Sequence, residues 1–251
     1  MRSWRRSAVT ILSGIVLLAV SAGNAAAEPE EDCALPVFGP GPAYHPAIDP
    51  EDFSSQVDNP MFPLVPGTTM EYRGMKDGAH ARDLVRPSSR TVVISGVRTR
   101  VVKDRLYLDG TLEERTSDYF AQDRCGNVWY FGEDTAELDP QGNVVSTDGS
   151  WHAGVDGAKP GVVMQADPQL GRRFRQEWLA GQAEDTYKAI DLSAPVTTPY
   201  GHYASALRTE ETTALEPNVI DNKVYARGVG EVVELTVRGA QEKLVLVDVR
   251  R

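Results

Sequence analysis

The sequence predicts a mainly β protein: an antiparallel meander forming a curved sheet, either a barrel or a half-barrel, behind a Pro-rich N-terminal arm. Three observations carry this. Short β-branched and aromatic runs recur at close spacing, turn signals of the Asp-Gly kind separate them, and no long segment keeps apolar residues at helical spacing. About a dozen short strands must each hide one face, which a strongly curved sheet does without a layer of helices. A two-sheet sandwich is the alternative, and the lack of a fixed repeat disfavours a propeller.

Residues 1–27 read as a signal peptide. Arg2, Arg5 and Arg6 form a positive start, Ala8 to Val20 is an apolar run short for a membrane span, and Asn24-Ala25-Ala26-Ala27 supplies small residues for cleavage. Arg5-Arg6 also resembles a twin-arginine signal. The polar Pro29-Glu30-Glu31-Asp32 argues against lipid attachment at Cys33.

Residues 28–67 form the arm. Its prolines, from Pro36 to Pro66, remove backbone donors and disfavour helix, so an extended segment laid over the body is expected. Tyr44, Ile48, Phe53, Met61 and Phe62 are its candidate anchors. Asp49 before Pro50 predicts one capped helical turn.

Residues 68–251 form a single antiparallel β domain. Strands are expected at Thr69 to Tyr72, Thr91 to Ile94, Val97 to Lys103, Arg105 to Leu108 and Thr111 to Tyr119, with Asp109-Gly110 the strongest hairpin signal. An aromatic hairpin, Asp118 to Glu133, turns at Cys125-Gly126-Asn127. Thr135 to Leu138 and Val144 to Thr147 follow. Asp148 to Pro168 reads as a loop, with a short helical turn near Leu170 to Arg175. Phe174 to Leu179, Thr186 to Asp191, Tyr203 to Glu210, Lys223 to Ala226, Gly230 to Val237 and Lys243 to Val249 complete the sheet.

The chain carries 36 acids against 26 bases, a net charge of −10, and loss of the three leader arginines makes it more negative. Such charge argues against nucleic acid and anionic membrane surfaces as partners and leaves cationic ligands open. No stable membrane insertion is expected, and the sequence sets no oligomeric state. The two cysteines, Cys33 and Cys125, form one possible disulfide in an oxidising compartment, worth about 4–5 kcal/mol for so long a loop on the chain-entropy model. Neither a metal nor another cofactor is indicated: there is no CxxC, HExxH or calcium-loop pattern.

Two segments hold the candidate ligand-binding residues. On the hairpin strand, alternation puts Trp129 and Phe131 on one face and Tyr130 on the other. One set fills the interior, and the other reading makes an aromatic wall with the Tyr130 hydroxyl and with Glu133 or Asp123 at the rim. The second segment, Ser150 to Gly161, sets Trp151, His152 and Asp156 among glycines, as a lid or as a structural loop with Asp156 in an Asx-turn.

Several motifs resemble a family of exported bacterial proteins without an assigned activity: Ile48-Asp49-Pro50, Asp58-Asn59-Pro60, Phe62 to Thr69, the hairpin strand Gly126 to Glu133, the loop Gly149 to Pro160, and Tyr225 to Gly230. The resemblance spans most of the chain after the leader. It implies a single exported domain and transfers no catalytic residue.

The expected function is therefore a secreted or periplasmic binding protein for a small apolar or aromatic ligand. The alternatives are a hydrolase or cyclase-type isomerase working through carboxylates such as Asp123, Glu133 or Asp156 together with His152, and a structural cell-envelope protein with no small-molecule site.

Overall fold

The computed structural model describes residues 34–251, of which Leu35–Arg251 form one compact unit. The leader and Cys33 lie outside the described residues, and with them the proposed Cys33–Cys125 pairing. No free cysteine stands among the described residues.

Among the described residues sixteen strands make one antiparallel sheet. They are β1 (Phe53–Ser54), β2 (Thr69–Lys76), β3 (Ala79–Ile94), β4 (Val97–Leu108), β5 (Thr111–Asp123), β6 (Val128–Leu138), β7 (Val144–Ser146), β8 (Trp151–His152), β9 (Lys159–Met164), β10 (Arg173–Arg175), β11 (Glu177–Trp178), β12 (Asp185–Thr197), β13 (His202–Thr213), β14 (Ile220–Ala226), β15 (Gly230–Arg238) and β16 (Glu242–Arg250). Neighbours run β10-β12-β13-β14-β15-β16-β2-β3-β4-β5-β6-β9-β11. The meander is thus sequential, and β16 returns to β2. The edge strands β10 and β11 are separated in the chain only by Gln176, so the backbone itself crosses the seam of a nearly closed barrel. Gly161 on β9 makes that seam tight. A Cβ there would stand 2.3 Å from the Arg175 carbonyl oxygen, so only glycine permits the approach.

Turn chemistry follows the sequence. Asp109 and Gly110 both hold positive φ, 48° and 88°, the backbone that a two-residue hairpin requires. The expected helical turn is the 3-10 segment Pro50–Asp52, with Asp49 Oδ1 accepting from the Glu51 amide at 3.1 Å.

Three expectations change. β3 runs for 16 residues through Pro87 and absorbs that proline at a register shift between Pro87 and Thr91, the bulge at which a sheet tolerates proline. The stretch read as loop, Asp148 to Pro168, contains β8 and β9. Its buried Val162-Val163-Met164 run is a strand hidden in the sequence by flanking glycine and proline. Leu170 to Arg175 forms no helical turn; Arg173–Arg175 is the edge strand β10.

The arm has two parts. Up to Phe53 it covers the outer wall: Tyr44 donates its hydroxyl to the Pro160 carbonyl at 3.0 Å, and Phe53 meets Trp129 and Phe131 edge-on at 5.8 and 5.3 Å between ring centroids. Beyond it the arm turns inward. Phe62 reaches Phe120 on β5 at 5.2 Å and Tyr225 on β14 at 6.3 Å. These strands lie far apart in the sheet order, so Phe62 spans the interior and plugs its apolar end.

Candidate functional site

Pleating alone would place Tyr130 and Glu133, three residues apart, on opposite faces of β6. The ladder slips between them: Asp118 pairs with Glu133 and Phe120 with Tyr130, so β6 carries one extra residue. This bulge centres on Gly132, whose φ of +148° suits glycine, and it turns both side chains inward. A second slip does the same on β15. Val224 pairs with Val233 and Tyr225 with Glu231, which brings Glu231 and Glu234 to one side.

The interior they face is a cavity of about 300 Å³ joined by shared walls to a smaller one of about 140 Å³. One side is apolar, made by Phe62, Leu64, Val85, Val102, Phe120 and Val163. The other is a belt of carboxyls: Asp83 from β3, Asp104 from β4, Asp118 from β5, Glu133 from β6, Glu177 from β11, Asp185 from β12, Glu211 from β13, and Glu231 and Glu234 from β15. Lys223 on β14 is the only cation lining either cavity. Its ammonium lies 3.4 Å from Glu234, 3.7 Å from Glu211 and 3.9 Å from Glu231.

So many acids facing one interior space cannot all be ionised. Burial raises Glu133 to about 8, helped by the Asp118 charge. Burial likewise raises Asp118 to about 7, with Asp104 adding to it, and Glu231 to about 8. Asp104 and Glu177 stand well above the carboxylate range, chiefly through burial and then through the neighbouring acids Asp83 and Asp185. Asp83 titrates at about 6: burial raises it, and a hydrogen bond from protonated Asp104 draws it back. For Lys223 burial opposes the charge, but Glu234, Glu211 and Glu231 outweigh it and keep the amine protonated.

On the wall of the larger cavity the Tyr130 hydroxyl stands 2.7 Å from Asp118 Oδ1 and 3.1 Å from Glu133 Oε2. A phenol has one hydrogen, so the second contact needs a proton on a carboxyl. Glu133, the weaker acid, donates to Tyr130, and Tyr130 donates to Asp118. Chemically the interior presents hydrogen-bond donors, acceptors and negative charge beside an apolar wall.

Of the residues singled out in the sequence, the structure brings Tyr130 and Glu133 into the cavity. Trp129 and Phe131 face the opposite way, buried under the arm with Phe53. Trp151 backs Tyr130 edge-on at 5.4 Å without lining the cavity. His152 lies on the outer wall, 3.1 Å from Asp134 and edge-on to Tyr119. Asp156 is an exposed turn residue with a φ of +51°. Asp123 is structural, accepting from the Cys125 and Asn127 amides and from the Trp129 indole, so it fixes the hairpin turn. The residues that sequence reasoning missed are Asp83, Asp104, Glu211, Lys223, Glu231 and Glu234. Alternation holds the signal for Asp104, which shares a strand face with apolar residues in Val102-x-Asp104-x-Leu106.

Among the described residues no helix is long and apolar enough to cross a membrane, and no group of His, Cys, Asp and Glu is arranged to hold a metal ion. No family model and no curated protein matches the chain. Two solved structures are similar in fold. One is a Bacteroides fragilis NCTC 9343 protein named for an exported location and a YMCC-like fold, at 13% identity, over 76% of this chain and 99% of that one, with a TM-score of 0.44. The other is a Parabacteroides distasonis ATCC 8503 protein named as a lipoprotein, at 10% identity, over 76% of this chain and 98% of that one, with a TM-score of 0.42.

Proposed function

We propose that this chain is an exported binding protein that holds a small ligand inside its barrel. One observation carries the reading: the interior is a two-sided cavity, with the apolar Phe62–Phe120 wall facing the Tyr130–Glu133 carboxyl belt. A barrel that served only as a scaffold would fill this space with side chains, since stable interiors are close-packed and burying unneeded carboxyls is costly. An apolar wall with a few convergent polar groups and shifted acids is the usual make-up of a ligand site. Export follows from the leader reading of residues 1–27. Native mass spectrometry of protein purified from its own host tests the function: a co-purified small molecule, lost from a Phe120→Trp variant that fills the cavity, supports it. An unliganded spectrum with no thermal shift across a broad ligand panel overturns it.

A second reading, an enzyme, is favoured by the Glu133–Tyr130–Asp118 chain, which offers a protonated acid and a partner base near neutral pH. Glu133→Gln would abolish turnover while leaving ligand binding in place. Unchanged turnover in that variant removes this reading.

A further inference from the structure

We propose that the smaller cavity is the seat of an organic cation: a primary ammonium head between Asp83 and Asp104, with an apolar body against Phe62, Met70 and Leu244. The proposal deepens the lumenal-binding reading and rests on it.

The argument is geometric. Asp83 on β3 and Asp104 on β4 face one cavity of about 140 Å³ with Glu231 and Glu234, four carboxyls around one small space. Asp83 Oδ1 is buried there without a hydrogen-bond partner of its own, while Asp104 and the Leu84 amide serve the same carboxyl elsewhere. A buried carboxyl oxygen without a donor is costly, and native interiors rarely keep one without a reason. Lys223 does not serve it. The contacts of that ammonium, at 3.4 to 3.9 Å, are to Glu234, Glu211 and Glu231. The cavity thus holds one resident cation for the Glu231 side and none for the Asp83 side. An ammonium has three donors and no acceptor, matching two carboxyls that offer only acceptors once deprotonated. The opposite wall is a thioether, a phenyl ring and an aliphatic side chain, which suit a hydrocarbon or aromatic body. A carboxylate ligand would meet repulsion from the ionised acids of this wall and would find no free cation beside Asp83.

Proton balance gives a second signature. In the free protein, burial keeps Asp104 protonated, and Asp83 titrates at about 6. The groups facing Asp83 are Asp104 on its neighbouring strand, Glu231 and Glu234 across the lumen, and the Leu84 amide. A bound ammonium favours their charged forms, so binding expels protons and tightens as pH rises from 5 to 8.

Three probes of similar shape test this: phenethylamine, 3-phenylpropan-1-ol and 3-phenylpropanoate, titrated calorimetrically into the full chain at pH 7, with the amine repeated at pH 6 in phosphate and in imidazole buffer. The expected result is amine binding at least about tenfold tighter than the alcohol, no acid binding, and a buffer-dependent enthalpy reporting proton release. Asp83→Asn, which removes a buried charge and keeps the shape, should bring amine and alcohol to equal affinity; Asp104→Asn is the second variant should the first fail to fold. Equal binding of amine and alcohol by the native protein sinks the cation site and leaves lumenal binding standing. Binding of none of the three overturns the cation site, while lumenal binding itself falls only on the unliganded spectrum and the broad panel given above.

Discussion

Tyr130 donates its single hydroxyl hydrogen to Asp118, 2.7 Å away across the β5–β6 ladder, and the same oxygen accepts a hydrogen bond from protonated Glu133, 3.1 Å away. The bond holds two acids and a phenol in one fixed arrangement. It also ties the titration of Glu133 to Asp118, whose charge adds to the burial that raises it.

Tyr130→Phe removes that link and nothing of the ring, which stacks on Phe120 at 4.8 Å. A buried Asp118 carboxyl then lacks its donor, so the variant should lose about 1–3 kcal/mol at pH 7. The loss should shrink at pH 5, where Asp118 is neutral. Urea denaturation at both pH values checks this. An equal loss at both would mean that the hydroxyl matters for packing alone.

Stability should fall as pH rises from about 5 to 8. Glu133 and Glu231, at about 8, and Asp118, at about 7, hold protons in the folded state that the unfolded chain has released. The folded state binds more protons in this window, so base weakens it. Glu71 acts with opposite sign. Hydrogen bonds from Arg82, against some burial, lower it to about 2, so its contribution is complete above the ordinary glutamate range and lost in acid. The optimum therefore lies near pH 4.5–5, and the fall to pH 8 should reach a few kcal/mol. Thermal melts across pH 4–8 measure it, and Glu133→Gln should flatten the upper limb and melt higher than the parent at pH 8. A melting temperature that rises from pH 5 to 8 contradicts the carboxyl belt.

Glu71 itself is buried beneath three arginines, with Arg73 at 2.8 Å, Arg82 at 2.9 Å and Arg250 at 2.6 Å. Arg73 and Arg82 are direct cross-strand partners, a like-charge pairing that is unfavourable without Glu71 between them. Glu71→Gln leaves the three cations facing one another and should cost about 2–4 kcal/mol at low salt, less at 1 M salt, where the repulsion is screened. A variant as stable as the parent in low salt would show that the cluster is a solvated ornament of the outer wall.

The bulge at Gly132 explains where the sequence is legible and where it stops. The meander, the Asp-Gly turns and the capped turn at Asp49 are local, set by backbone preferences of two to four residues, and could be read directly. The facing of Tyr130 follows from alternation, since it opposes Trp129 and Phe131 whatever the register. Its companionship with Glu133 does not, because one inserted residue reverses the pattern and only the pairing with Asp118 shows the insertion. Glu231 and Glu234 were hidden by the same device on β15. Lys223 had no signal within its own strand; its role is set by register with its two ladder neighbours, which place Glu211 on β13 beside it and Glu234 on β15 directly opposite. Gly132→Ala tests the bulge directly. Its Cβ would stand 2.4 Å from the Trp151 carbonyl oxygen in a backbone conformation that side chains rarely adopt, so about 2–4 kcal/mol should be lost by chemical denaturation. A variant within 0.5 kcal/mol of the parent, roughly the spread of neutral surface changes, would show that the slip does not need glycine.

Lys223→Met isolates the charge balance of the lumen. Methionine keeps the length and apolar stem of the side chain and removes the ammonium that Glu234, Glu211 and Glu231 surround. Near pH 8 those carboxyls would have no counter-charge, and an unpaired buried ion costs about 3–5 kcal/mol. At pH 5 Glu231 is protonated, burial has raised Glu211 in the same direction, and a neutral carboxyl needs no counter-ion. The penalty should therefore be several times larger at pH 8 than at pH 5, a difference that lost packing cannot produce because packing does not titrate. Denaturation of both proteins at the two pH values gives the answer. A penalty that is the same at both would place Lys223 outside the electrostatics of the cavity, and the carboxyl belt would then need another source of compensation.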